Sequence, residues 1–380
     1  MPMSSGGQFV VEGFVMHKRR AVVLQQVAIA DYRQKFLDLL AQSLGGRLCV
    51  LAGKEYFEPS TRTAVVLPGC LSIVKNYFML GRRFVFQPAV VAPCVRAHVA
   101  VLELNPRSLT TWLVLLVRRI LRRKTILWGH AWPRAGADSP SDNVRNLMRT
   151  LGNVIVVYTE SQRRELESRM PGKAIVAAPN SIYLAEEMRP VATQGERRHF
   201  LYVGRLVSQK KVDLLVRAFA KFKSRSPECN NRLIVVGDGP EKSQLMALCR
   251  QLRVSGDVDF MGHVASIDAL RSIYETALVS VSPGGVGLSL TQSLGFGVPM
   301  IVADREPHGP EFEAVLHGTN ALLFSANDAD ALCDGMLRVV NDSVDWISRA
   351  ASISAHCRRS YSANAMADRM VAAIFLAEGR

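Results

Sequence analysis

Short apolar runs recur along the chain, and most are followed by a segment whose apolar residues return every three or four positions. Residues 21–28 (AVVLQQVA), 47–52, 99–104, 125–128, 154–158 and 174–177 read as strands buried on both faces. Phe36, Leu39, Leu40 and Leu44 share one face of a helix that begins near Tyr32, and a second helix is predicted over 108–124. From 185 to 198 the chain turns polar, with Pro190 and Gly195 among charges, which predicts a linker. Alternation then restarts. Strands are predicted at 200–203, 232–236, 258–261, 278–282 and 300–303, and helices at 212–222, 242–252, 266–276 and 288–295. Strands alternating with helices imply parallel sheets covered on both sides, so the pattern predicts two α/β domains in series. The expected boundaries are an N-terminal domain over 1–188, a linker over 189–198, a C-terminal domain over 199–355 and a terminal helix over 356–380 that packs back on the first domain. Open α/β sheets bind ligands at the carboxyl ends of their strands, which puts the expected site in a cleft between the two domains.

Length and composition agree with two cores. The chain has 380 residues, too long for one ordinary core, and 48% of them are hydrophobic, enough to fill two. Formal charge is 47 − 33 = +14, which attracts anions: phosphate-rich ligands, an acidic lipid surface or nucleic acid. No recognised nucleic-acid module and no interleaving of aromatic with basic residues supports the last of these, so no nucleic-acid partner is expected. Seven scattered cysteines without a CxxC pair read as reduced thiols of a cytoplasmic protein, and no metal site is expected. The first 20 residues lack the basic-then-apolar order of a secretory signal, and no run of about 20 apolar residues predicts a membrane-spanning helix.

Two segments carry candidate chemistry. In the first, a strand ends at Gly204, and Arg205 and Lys210 follow in the loop before a helix. Two cations there can converge on one diphosphate, with the arginine as a planar fork; a solvated basic loop is the plain alternative. In the second, a strand meets a helix through Gly284, Gly285 and Gly287. Glycines admit a ligand to the backbone, and the free N–H groups of Leu288 and Ser289 favour negative charge at the helix start. Gln292, one turn further in, is placed to reach a ribose hydroxyl. A tight turn without a ligand explains the glycines equally. A third turn at Gly237 (VVGDGPE) is not GxGxxG and argues against a dinucleotide dehydrogenase; its glycine reads first as structural, with close ligand approach second.

These segments together resemble the retaining glycosyltransferases of family 4. YVGRLVSQKKVDLLVRAF, VVGDGPEKSQL, VDFMGHV and GVGLSLTQSLGFGVPMIV occur in family order over about 200–324. The resemblance implies the GT-B fold, two Rossmann-like parallel-sheet domains facing a central cleft, and a nucleotide diphosphate sugar as donor with no essential cofactor. It assigns Arg205 and Lys210 to the diphosphate, His263 and Val264 to the base, and Gly287 and Leu288 to phosphate and sugar. The family usually carries two glutamates across this turn; here those positions are Gly284 and Gln292. A sub-branch of bacterial surface-polysaccharide and lipopolysaccharide transferases has this variant turn and a downstream Pro-Glu pair. That pair is Pro310-Glu311 here, so Glu311 and His308 are the candidates to replace the missing sugar contact, against solvated loop residues.

The N-terminal half is less specific. Asp31-Tyr32-Arg33 and the segment around His130 follow strands, and the resemblance makes His130, Tyr32 and Arg33 acceptor-side candidates, with a satisfied loop histidine as the alternative for His130. Tyr158-Thr159-Glu160 and Asn180-Ser181 follow two more strands, where capping explains them as well as a cleft position does. The helix at 108–124 (SLTTWLVLLVRRILRRK) ends in Arg118, Arg119, Arg122, Arg123 and Lys124, and Lys75, Arg82 and Arg83 add basic charge near Tyr77, Phe78 and Phe84. Such a pattern suits the anionic cytoplasmic face of an inner membrane, or an ordinary core helix with a basic outer face. The expected acceptor is a saccharide or lipid-linked saccharide. Two rivals remain: a non-catalytic nucleotide-sugar-binding subunit and a GT-B nucleotide-sugar epimerase.

Overall fold

Strands that are apolar on both faces need helices on both sides, and the chain builds two such layered units. The computed structural model describes residues 10–11, 14–15, 21–59, 61–133, 136–192 and 196–380. Most of the N-terminal stretch read for a secretory signal, and 193–195 of the expected linker, lie outside these.

The first unit comprises Met1–Ile182 and Ala363–Arg380. Its sheet has seven strands: β1 (Val22–Gln26), β2 (Leu48–Gly53), β3 (Leu71–Val74), β4 (Val99–Glu103), β5 (Lys124–Trp128), β6 (Val154–Val157) and β7 (Ala174–Ala177). All pairings are parallel, in the order β7-β6-β5-β4-β1-β2-β3. The order reverses between β1 and β4, the switch point at which open sheets leave a crevice. Helix α1 (Gln34–Leu44) buries Phe36, Leu37, Leu40 and Leu44. It packs on a helix contributed by the chain's end, which re-enters this unit at Ala363 and seals its core with Met366, Met370 and Ile374. Glu378 at that end pairs with Arg47.

The segment expected as one helix over 108–124 divides. After α2 (Pro88–Arg96), α3 runs only over Leu109–Ile120, opened by Ser108 Oγ accepting from the Thr111 N–H at 3.2 Å. Arg122 then takes φ +52°, and Lys124 already belongs to β5. Arg118 is not on the basic outer face that its sequence suggests. It is fully buried and donates to the carbonyls of Cys94, Val95, Ala97, His98 and Lys124 and to Thr125 Oγ1. The outer face of α3 is instead apolar, with Leu109, Leu113, Leu116 and the 79%-exposed Ile120 in line. Arg82 is likewise committed, stacking on Phe78 and donating to Phe57 O at 2.9 Å.

The second unit is Tyr183–Ser362. Its six strands are β8 (His199–Val203), β9 (Leu233–Val236), β10 (Val258–Gly262), β11 (Ala277–Ser282), β12 (Met300–Ala303) and β13 (Ala321–Phe324), parallel throughout in the order β10-β9-β8-β11-β12-β13. Here the order reverses between β8 and β11. A helix over Val212–Arg225 follows β8 and buries Val212, Leu215, Phe219 and Phe222 against the sheet. Residues 183–192 already pack on this unit: the Val191 N–H donates to Phe296 O at 2.9 Å. Among the described residues no helix is long and apolar enough to cross a membrane.

Arg118 gathers the carboxyl end of α2 and the first residues of β4 and β5, so removing it leaves several buried carbonyls unpaired. Arg118→Ala is expected to cost about 3–5 kcal/mol, read as an earlier urea transition of the first unit.

Candidate functional site

The carboxyl ends of β8 and β11 form a pocket within the second unit. After β8 the chain passes Gly204 and Arg205 and makes a tight turn, Ser208–Lys210. Lys211 takes φ +50° and ties the turn down through Glu306 and Asn327 Oδ1. Lys210 is half-buried and Nζ donates to Gly285 O on the facing turn. Burial, then the charge of Arg205, push its pKa below the usual lysine value, while Glu311 opposes them. An anion here would reverse that shift. Arg205 is exposed, and its guanidinium makes no side-chain bond among the described residues; its carbonyl accepts from Tyr202 OH at 3.0 Å.

The facing turn leaves β11 and enters α9 (Leu288–Gly295) at Gly287. The N–H groups of Leu288 and Ser289 belong to the first turn, where no intrahelical acceptor exists, and no side chain caps them. α9 is locked to the sheet by Ser293 Oγ, which bonds Ser280 Oγ at 2.7 Å and Val298 O at 2.8 Å. Gly284 lies against the other loop: a Cβ there would sit 2.5 Å from Gln209 O and 2.9 Å from the Lys210 carbonyl carbon. Position 284 is therefore closed to any side chain unless the 208–210 turn moves. A third turn completes the crowding. Gly237 has φ +139°, and a Cβ on it would meet Gly204 O at 1.8 Å.

The segment after β12 braces the glycine turn. The Val286 N–H donates to His308 Nδ1 at 3.2 Å, and the Gly309 N–H to Val286 O at 2.7 Å. An accepting Nδ1 requires a His308 that carries no proton there, and burial favours this by lowering its pKa. Glu311 is 5% exposed, and its Oε2 lies 3.9 Å from where a Gly287 Cβ would stand.

The pocket thus brings together Gly204, Lys210, Gly287, Leu288 and Ser289. Gly285 and Glu311 adjoin it. Gln292 is buried and donates to Tyr274 OH at 3.3 Å, so its amide faces inward. His263 and Val264 follow β10 at the sheet's edge; His263 is exposed and Val264 half-buried. His130 belongs to the first unit, where it is exposed and packs edge-on against Tyr158 at 4.7 Å. Sequence reasoning missed Tyr202 and Tyr274, which wall the pocket. Tyr202 was findable, because the two-residue period of β8 puts it on the face of Gly204. The reach of His308 across 22 residues to the glycine turn left no local signal. Among the described residues no group of three or more His, Cys, Asp or Glu gathers as a metal site.

Residues 197–342 match the family described as Glycosyl transferases group 1. An uncharacterized glycosyltransferase of Methanocaldococcus jannaschii is 31% identical over 157 residues, 40% of this chain and 38% of that protein, so the alignment spans well under half of its length. Among solved structures, HepE of Anabaena in complex with UDP is similar with a TM-score of 0.67 at 14% identity, over 93% of this chain and 98% of that one. The lipopolysaccharide outer core galactosyltransferase WaaB, in its apo form, gives 0.67 at 14% identity over 94% and 99%. Residues 197–342 are therefore a glycosyl transferases group 1 domain, set in a chain with the two-sheet GT-B fold.

Proposed function

We propose that the chain is a retaining, family 4-like glycosyltransferase that moves a hexose-type sugar from a nucleotide diphosphate sugar to a saccharide or lipid-linked acceptor in surface-polysaccharide synthesis. The observation that carries this reading is the convergence of Lys210, the neighbouring Arg205 and the free amides of Leu288 and Ser289 at one pocket of a group 1 domain. Two cations and a helix start provide what a departing diphosphate requires: charge stabilisation that is already in place. Gly204, Gly237, Gly285 and Gly287 let the backbone approach the phosphates. Glu311 stands beside the turn as the sugar-side carboxylate, and His263 with Val264 borders the base. Gln292 then supports the pocket through Tyr274 and does not face the ribose directly. In a retaining transfer the leaving diphosphate assists attack from the same face, so the protein's work is positioning and neutralisation. The first unit holds the acceptor, with His130 on that side. HepE, solved with UDP, makes uridine the first base to try.

Working at the anionic cytoplasmic face of the inner membrane is the second part of the reading. It is supported by the line of Leu109, Leu113, Leu116 and Ile120 on α3, by exposed Val144 and Leu147 on the neighbouring helix, and by exposed Arg119, Arg122, Arg123 and Lys124 beside them. Contiguous exposed apolar residues bordered by cations fit an anionic leaflet.

A panel of nucleotide sugars read by thermal shift is expected to select one donor, because a ligand of the folded state raises apparent stability. Arg205→Ala and Lys210→Ala are each expected to weaken that donor by about 1.5–3 kcal/mol, roughly 10- to 100-fold in Kd. Full affinity and transfer in both variants would refute the phosphate assignment.

Gly284→Glu, which writes in the usual family residue, is expected to lower donor affinity at least about tenfold, since the Cβ collides with the 208–210 backbone. Titration calorimetry at wild-type affinity would mean that the turn has slack.

Leu116→Glu with Ile120→Glu is expected to release the protein from phosphatidylglycerol vesicles in flotation while leaving donor binding intact. A wild-type protein that stays off such vesicles at low salt would remove the membrane part of the reading.

A further inference from the structure

The carboxyl edge of the first sheet holds a positive charge without a negative partner among the described residues. Arg33 ends the tight turn Asp31–Arg33 after β1 and is 8% exposed. Its guanidinium carbon lies 4.2 Å from the centre of the Trp128 ring, 5.6 Å from that of Tyr32 and 5.7 Å from that of Tyr158. Nη2 donates to Tyr158 OH at 2.9 Å, while Nε reaches Tyr32 OH only at 3.4 Å. Nη1 is buried and has no acceptor among the described residues. Trp128 Nε1, in the ring beneath it, is a second buried donor without one.

Phenol hydroxyls accept a hydrogen bond but do not neutralise a guanidinium, and aromatic faces offset only part of the cost of burying it. Among the described residues no carboxylate takes that role. Glu103, the last residue of β4 beside β1, accepts from the Val27 N–H at 2.9 Å, Tyr56 OH at 3.0 Å and Asn105 Nδ2 at 2.8 Å. A buried arginine that keeps an unused pair of N–H donors is a fork shaped for an oxyanion. Its place supports the same conclusion: Arg33 follows β1, Trp128 ends β5 and Tyr158 follows β6, all at the carboxyl ends of strands where α/β sheets take ligands.

We infer that Arg33 anchors an oxyanion, a carboxylate or a phosphate, carried by the acceptor substrate. This rests on the glycosyltransferase reading, which makes the first unit the acceptor side. Nη1 is covered, so the oxyanion reaches it when half-buried Tyr32 turns away and its long contact is exchanged for a charge-assisted bond.

Ligand-observed NMR on the full chain tests this with glucose, glucuronate and glucose 6-phosphate, under saturating nucleoside diphosphate so that the second unit's phosphate site is closed to the sugars. The expected result is that one charged sugar binds at least about tenfold tighter than glucose, about 1.4 kcal/mol. Which of the two it is identifies the oxyanion. Arg33→Met is expected to abolish the preference, keep nucleotide binding, and melt no lower than wild type, because the charge it removes is uncompensated. Arg33→Lys is expected to retain part of the preference. Equal binding of all three sugars by wild type, a preference that survives in Arg33→Met, or an Arg33→Met protein that fails to fold would each overturn the inference. Failure of wild type to bind any nucleoside diphosphate would instead sink the glycosyltransferase reading on which it rests.

Discussion

The second unit's pocket depends on backbones that come too close for any side chain to stand between them. Gly237 lies on the Gly204 carbonyl, and Gly284 lies on Gln209 and Lys210, each nearer than a Cβ allows. Three strand-to-helix turns are thereby pressed into one surface, made of amides and carbonyls more than of side chains. Its character is set by sign more than by shape. A helix start, a half-buried ammonium and an exposed guanidinium all favour negative charge.

The two cations differ in how they are held. Lys210 is held in advance by the Gly285 carbonyl and is depressed in pKa by burial and by Arg205, so its charge is strained until an anion arrives. Arg205 is exposed and keeps its rotamer freedom. The glycine turn between them is fixed from outside the pocket, by His308 accepting from the Val286 amide. No side chain has room at Gly284, and a buried carboxylate, Glu311, approaches the same turn from the segment after β12.

Much of this was legible because parallel strands buried on both faces write themselves as apolar runs, as at 99–104 and 154–158. Arg205, Lys210 and the glycine turn were legible because each lies within a few residues of a strand end. Legibility failed where burial and polarity part company. Arg118 sits in a basic run and reads as solvated, yet six acceptors from three separate segments take it inside. Edge strand β3 (LSIV) is apolar but only four residues long and mostly unburied, so it is too short to stand out as a strand from its pattern. Gln292 sits on the helix turn that faces the pocket, and only the position of Tyr274, 18 residues earlier, turns its amide inward.

Arg118 and Arg33 set the limits for reading buried arginines in the first unit. Both are almost wholly enclosed and neither has an ion pair among the described residues. Arg118 is surrounded by carbonyl dipoles that spread its charge over the end of α2 and the starts of two strands, and every one of its nitrogens has an acceptor. Its burial is explained by the fold alone. Arg33 has two hydroxyls, three rings and a nitrogen with nothing to bond. An open nitrogen is not the distinguishing mark, since buried Arg149 in the same unit leaves Nε without an acceptor while pairing with Asp142; Arg33 differs in having no carboxylate partner among the described residues and in standing at the ligand-bearing edge of the sheet. The difference between Arg118 and Arg33 is the difference between a residue that folds the unit and one held in readiness for a ligand.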